Sequence, residues 1–155
     1  GTLRLVSNGA QILKIEFEGQ YNTHAADNPD SILVNCAAQL NAYFAGKRTC
    51  FDLPLGANGT PFQQRVWSAL AGIPYGEVRS YKDIAHIIGH PAAVRAVGAA
   101  NGHNPLPIVV PCHRVIGSNG RLTGFAGGLK AKSHLLQLEA RLMHQTAAKE
   151  PIKSA

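Results

Sequence analysis

Two patterns are missing from this chain of 155 residues. No run approaches the roughly 20 apolar residues of a membrane span, and the three cysteines, Cys36, Cys50 and Cys112, show neither CxxC nor CxxH spacing. The first absence excludes a helical membrane protein. The second, with an odd number of thiols, argues against a disulfide framework or a compact zinc site, and a looser site built from Cys36, Cys50 and a histidine such as His24 is not expected. The opening GTLRLVSNGAQ lacks the basic, apolar and small-residue order of a secretory signal, so the expected compartment is the cytoplasm, or the nucleus in a eukaryote. Residues 61–145 are short of acid, with nine Lys/Arg against three Asp/Glu, whereas residues 1–60 carry four against five. A basic second part suggests a polyanion partner, although a solvated charged face is the commoner reason for such an excess.

What is present reads as two unlike pieces. Residues 2–6 and 11–17 are apolar-rich and partly alternating around Ser7-Asn8-Gly9, a hairpin pattern. Asp30 and Ser31 offer caps to a helix through Leu33, Ala37, Leu40 and Phe44, stopped by Gly46. Cys36 lies in that helix and Cys50 in a β-like stretch from Thr49 to Leu53, both as packing residues. The Gly, Pro and Asn content of residues 54–60 marks a linker. The expected fold is an α/β N-terminal subdomain over 1–53, a small sheet plus helix, followed by a mainly helical domain over 61–145. A disordered tail is expected over 146–155.

In the second piece Thr60 caps a helix with Pro61 at its first position and Phe62, Val66, Trp67 and Leu70 on one face. Ser80 to Ile88 and Pro91 to Ala100 follow as two short helices around Gly89-His90, a helix-turn-helix pattern that also occurs in proteins that never touch DNA. Ala92, Ala93, Ala96, Gly98, Ala99 and Ala100 leave the second helix nearly bare, with Arg95 its one long charged side chain. Such a surface suits close approach, whether to a neighbouring helix or to the wall of a DNA groove.

The run NPLPIVVPCHRV, Asn104 to Val115, is the most informative in the chain. Three prolines stiffen an apolar segment and deliver Cys112 to a fixed place. His113 and Arg114 follow at once, and a base or cation beside a thiol favours the nucleophilic thiolate. A buried, inert cysteine is the bland alternative.

PCHRV, preceded by NPLPIVV and followed by an S-x-G turn and Gly127-Gly128-Leu129, closely resembles the active-site signature of O6-alkylguanine-DNA alkyltransferases. The likeness extends through Tyr75-Gly76-Glu77-Val78, Ser80-Tyr81, Ala96-Val97-Gly98, Leu135, Leu136 and Glu139, about residues 60–140 in all. The resemblance implies irreversible transfer of an alkyl group from guanine O6 in double-stranded DNA, with O4-alkylthymine as a second substrate, to Cys112. No cofactor and no metal take part, and a monomer away from membranes is implied. His113 would take the thiol proton through a water, Glu139 would orient His113, Tyr81 would donate to guanine N3, and Asn104 would hold the active-site turn. Arg95 would enter the duplex as the base is turned out, within a minor groove about 6 Å wide, with Ser80, Tyr81, Ala96 and Arg114 as further DNA contacts. Pro107, Val115 and the 123–128 loop with Phe125, Ala126 and Gly127 would wall the pocket. Phe125 and Ala126 stand where well-known members carry Tyr and Ser, so a loop hydroxyl is missing and bulkier alkyl groups gain room. Two other readings are a non-catalytic lesion-binding module, which would lack the acceptor cysteine, and a Cys-His hydrolase, which would turn over.

Overall fold

The structure, a computed structural model, describes residues 2–21 and 29–149, the last of these from 145 onward by backbone only. β1 (Leu3–Ser7) and β2 (Ile12–Phe17) form the expected antiparallel hairpin, with Leu5 opposite Ile15 and Leu3 opposite Phe17. A register shift at Val6/Ser7 breaks the strict alternation, which is how Ile12 and Ile15, three positions apart, both enter the core. The stretch from Thr49 to Leu53 is not a strand. Its polar backbone is satisfied instead by Gln39, whose amide holds both the N–H and the carbonyl of Asp52. Residues 54–56 then lie along the start of β2, since Ile12 N–H donates to Pro54 O and Gly56 N–H to Ile12 O.

α1 (Ser31–Phe44) begins where the Asp30 carboxylate accepts from Leu33 N–H and from Ser7 Oγ. It ends at Gly46, whose left-handed φ of 76° lets Lys47 N–H reach Ala42 O and its own N–H reach Tyr43 O, a closure that glycine favours. The buried face carries Cys36, Gln39, Leu40 and Tyr43. The expected stripe through Ala37 and Phe44 is therefore turned aside, and Phe44 is exposed. The helix rotates because Tyr43 has a polar partner deep in the second part of the chain, described below.

α2 (Pro61–Ala71) has a reciprocal capping box between Thr60 and Gln63 and buries Val66, Trp67 and Leu70. β3 (Arg79–Ser80) leads directly into α3 (Tyr81–Ile87), where Ser80 and Asp83 form a second capping box. Gly89, with φ 77°, makes the turn to α4 (Val94–Gly102). α4 starts later than the expected Pro91 because Pro91 to Ala93 form a turn closed by Ala93 N–H on His90 O, and no side chain caps the helix earlier. The indole of Trp67 donates to Ala100 O at 2.8 Å, fastening α4 to α2. A short 3-10 turn (Cys112–Arg114) leads into β4 (Val115–Ile116), which pairs in parallel with β3. α5 (Leu129–Lys149) closes the chain and continues through Thr146, where a structureless tail was expected; the rest of that tail, 150–155, lies outside the described residues. One hydrophobic cluster joins Ile12, Ile15, Leu40 and Tyr43 to Ile84, Val97, Ile108, Leu135 and Leu138.

Candidate active site

Cys112 is held by its backbone before any side chain acts. Pro111, at φ −81° and ψ 65°, forms an inverse γ-turn that Cys112 N–H closes on Val110 O at 2.8 Å. Upstream, the Asn104 amide donates to Val110 O at 2.9 Å and its carbonyl accepts Leu106 N–H at 3.0 Å. Between them Ile108 sits at φ 75°, the one non-glycine residue with positive φ among those described. A β-branched side chain there costs about 1–3 kcal/mol and persists only when its surroundings dictate it. Here the dictating contacts are the Asn104 bridge and Val110 N–H on Leu106 O.

His113 and Glu139 are buried, 0% and 1% exposed, and meet at 2.7 Å between Nε2 and Oε2. Glu139 is the one carboxylate of α5 and would ordinarily face water, but it accepts from five donors. Oε2 takes Tyr43 OH at 2.6 Å, His113 Nε2 and Arg114 Nη2 at 3.0 Å, and Oε1 takes Arg114 Nε at 2.8 Å and Gly76 N–H at 3.2 Å. Burial alone would raise this carboxyl; the His113 and Arg114 hydrogen bonds override it and hold the group down to about 2. His113 is pushed below its ordinary value, by burial first and then by the Arg114 and Lys132 charges, against the pull of Glu139. It is therefore a neutral imidazole near pH 7. Its Nδ1 is buried with no hydrogen-bond partner and is the nitrogen free to take a proton.

Burial pushes the Cys112 thiol up to about 11, while an Asn104 contact and the Lys132 charge pull the other way. At rest it is a thiol, so attack requires a base, and the neutral His113 beside it in sequence fits that need. Lys132 carried no functional expectation from the sequence. It is 0% exposed, its Nζ donates to Thr123 O at 2.8 Å and lies 5.9 Å from the centre of the Tyr81 ring. The signal was available in retrospect: Lys132, Leu135 and Glu139 share one face of α5, the buried one.

Arg114 departs from expectation. The resemblance implies a DNA contact, yet Arg114 is 6% exposed, bound to Glu139, donates to Ile73 O at 2.7 Å and lies over the Tyr75 ring. A guanidinium committed to a buried carboxylate cannot also reach a phosphate. Tyr81 and the expected pocket loop do come together: Tyr81 OH donates to Thr123 O and Thr123 Oγ1 donates to Tyr81 OH, each at 3.1 Å. Phe125 packs edge-on against Phe17 of β2 with centroids 5.3 Å apart. Gly127 also lies against Phe17, where an added Cβ would sit 2.8 Å from that ring. Val115 and Pro107 are buried near the turn, and Ala126 is exposed. Arg95, Ala96, Ala99 and Gly102 form the exposed face of α4, while Val97, Ala100 and Asn101 face inward. Ser80 is half-buried as the α3 cap.

Among the described residues no cluster of three or more His, Cys, Asp or Glu could hold a metal ion. Cys36 is buried, Cys50 exposed, and His24 lies outside the described residues. No described helix is long and apolar enough to cross a membrane. A cavity of about 710 Å³ opens between β1, β2, α1 and α5, but Cys112 does not line it.

Known proteins are similar to this chain in sequence and in fold. Residues 61–141 match the family model described as the 6-O-methylguanine DNA methyltransferase DNA binding domain, and residues 1–57 match its ribonuclease-like domain. A methylated-DNA–protein-cysteine methyltransferase of Mycobacterium tuberculosis is 52% identical over 143 residues, covering 90% of this chain and 86% of that protein. The constitutive enzyme of that name from Bacillus subtilis is 57% identical over 119 residues, 76% of this chain and 71% of its own. The crystal structure of Mycobacterium tuberculosis OGT in complex with DNA superimposes with a TM-score of 0.85 at 50% identity, covering 92% of this chain and 88% of that one.

Proposed function

The chain belongs to the 6-O-methylguanine DNA methyltransferase family, and on that premise we propose that Cys112 is the acceptor through which it repairs O6-alkylguanine in DNA. The observation that carries this reading is a buried thiol followed in sequence by a neutral histidine, whose Nε2 rests on a carboxylate and whose Nδ1 has no hydrogen-bond partner. The Sγ proton passes toward His113 Nδ1 as the sulfur electron pair attacks the alkyl carbon. An S–C bond forms, the C–O6 bond breaks, and its electrons leave with guanine. Tyr81 is the assigned donor to guanine N3, and the proton lost from Sγ restores the balance through His113 and solvent. Glu139, tied to Arg114, holds the imidazole and stabilises its charge once formed.

The target carbon is buried in a duplex, so the nucleotide turns out before it reacts. The small exposed face of α4, with Arg95, fits a narrow groove, and the basic 61–145 region fits a polyanion. The N-terminal unit over 1–53, the 54–60 connection and the DNA-binding and transfer unit over 61–145 act together in the compartment that holds the DNA, the cytoplasm, or the nucleus in a eukaryote. A thioether has no good leaving group, so the reaction stops at one equivalent.

Incubation with excess O6-methylguanine duplex followed by intact mass and peptide mapping tests the reading. One methyl group per protein on the Cys112 peptide, lost in Cys112→Ser and kept in Cys36→Ser and Cys50→Ser, is expected. Continued turnover would favour a hydrolase, and an unmodified protein that still binds the lesion would favour a non-catalytic module.

A further inference from the structure

We propose that Tyr43, from the N-terminal unit, is a positioning residue for alkyl transfer: its hydroxyl, 2.6 Å from Glu139 Oε2, sets the carboxylate that holds His113. The inference rests on the reading of Cys112, His113 and Glu139 given above. Among the described residues, every other donor to Glu139 comes from residues 61–141, and Tyr43 alone crosses from the part matched by the other family model. The residues that bind DNA and carry the thiol are therefore incomplete without the N-terminal unit, in a way that touches the reaction.

Several observations make this more than a satisfied core hydroxyl. Tyr43 is fully buried at the end of α1, and its ring is held between Phe44, Phe51 and Tyr75, with centroids 5.3, 5.6 and 6.1 Å away. Two χ angles fixed by packing leave the O–H one direction to point. Burial and then the Glu139 charge push the phenol far above its ordinary range, so it acts only as a donor. It donates to the same oxygen as His113 Nε2. With Arg114 Nη2 they make three donors on one carboxylate oxygen, and donors on one oxygen share its charge, so each receives less than it would alone. Tyr43 thereby tempers the pull of Glu139 on the imidazole and keeps His113 neutral enough to accept the thiol proton.

The groups facing this carboxylate are Tyr43 from α1, Tyr75 and the Gly76 N–H from the turn before β3, and His113 and Arg114 from the 3-10 turn, with the Lys132 charge on α5 acting on His113. Removing the phenol hydroxyl leaves the rest in place. Oε2 then turns more fully to His113, the imidazolium is favoured, and the base is protonated up to a higher pH.

The test is the rate of transfer from free O6-benzylguanine and from O6-methylguanine duplex, measured against pH for wild type, Tyr43→Phe and Phe51→Leu. Tyr43→Phe is expected to react about threefold to tenfold more slowly near neutral pH, the range one hydrogen bond supplies. Its acid limb is expected to move to higher pH, with DNA affinity unchanged. Phe51→Leu trims one of the three ring neighbours and leaves Phe44, Tyr75 and the hydroxyl bond to Glu139 in place, so it should lower the melting temperature and leave the limb where it is. Should Tyr43→Phe fail to fold, site-specific 3-fluorotyrosine at 43, a stronger donor on an intact ring, is expected to move the limb the opposite way. A Tyr43→Phe or fluorotyrosine protein that keeps the wild-type rate and limb, whatever its melting temperature, overturns the proposal. Absence of Cys112 alkylation in the wild type would instead overturn the reading on which it rests.

Discussion

Arg114 and Glu139 meet fork to fork, Nε 2.8 Å from Oε1 and Nη2 3.0 Å from Oε2, with both groups almost wholly out of water. The arginine neutralises the carboxylate permanently, because a guanidinium does not lose its proton. Glu139 can therefore remain ionised in the core without requiring that His113 carry a charge. The pair thus separates two tasks that a simple His–carboxylate couple would mix: keeping the carboxylate ionised, and leaving the histidine neutral as a base.

If Arg114 serves this pair and not the DNA, Arg114→Leu should destabilise the fold by about 3–5 kcal/mol, the usual cost of leaving one buried ion unpaired. Urea unfolding measures that loss. Under conditions where the variant stays folded, the slope of log affinity against log salt should match wild type. A slope shallower by about 0.9 would mean that a phosphate contact had been removed and that the buried pair is not its whole role.

Stability should be greatest between about pH 6.5 and 9 and decline on both sides, from the shifts of three groups. Glu139 has its folded value lowered from 4.5 to about 2, so its contribution is complete above 4.5 and drains away as pH falls toward 2. His113 is lowered from 6.5, so below that pH the unfolded chain takes a proton that the folded one refuses, and the loss begins there. Cys112 is raised from 9.0 to about 11, so its contribution is present below 9 and is lost as pH rises toward 11. Denaturant midpoints across pH check this: Glu139→Gln should flatten the limb below 4.5 and Cys112→Ala the alkaline one. Parallel curves for wild type and both variants would show that other groups control the pH dependence.

Lys132 is expected to favour the Cys112 thiolate from a distance. Lys132→Met keeps the length and loses the charge that pulls the thiol down, and should slow transfer at pH 7 by about tenfold, as about 1.4 kcal/mol of lost thiolate stabilisation would. The deficit should shrink as pH rises toward the thiol's own range, while DNA affinity stays within about twofold of wild type. A deficit that is constant across pH would assign Lys132 to holding Thr123 and Tyr81 instead.

How much of this was legible in the sequence depended on whether a contact was local. The hairpin, the Thr60 cap and the Gly46 stop follow from residues within a turn of each other, and structure and sequence agree on them. The Cys112–His113 neighbourhood was equally plain because the two are adjacent. Glu139 could be named only through family likeness, since nothing in Leu135 to Ala140 signals that its carboxylate turns inward. Tyr43 was invisible for the same reason: its partner lies 96 residues away, and an amphipathic helix can bury either of two neighbouring stripes until that partner is known. Arg114 was misplaced because an arginine beside a reactive cysteine in a basic domain suggests DNA, whereas a carboxylate that must be buried and ionised has first claim on it. The strain at Ile108 is set by Asn104 and the bridge between Pro107 and Val110 and has no signature in composition.

The exposed face of α4 leads to the last expectation. Arg95 stands on a surface otherwise made of Ala96, Ala99 and Gly102, and the inward face of the same helix is fastened by Val97, Ala100 and the Trp67 bond. Removing its side chain should therefore leave the fold and the chemical site untouched. A base inside a duplex must be unstacked at a cost of a few kcal/mol, and a side chain that fills the space it leaves lowers that cost. The free base O6-benzylguanine needs no unstacking. Arg95→Ala should consequently slow repair of O6-methylguanine duplex by about tenfold or more, while reaction with O6-benzylguanine stays within about twofold of wild type, each about 1.4 kcal/mol of barrier counting as a factor of ten. The ratio of the two rate constants is the informative quantity, because it cancels any change in the amount of active protein. A ratio equal to that of wild type, with both rates reduced, would mean that Arg95 supports the site or the fold and that extrusion relies on another part of the surface.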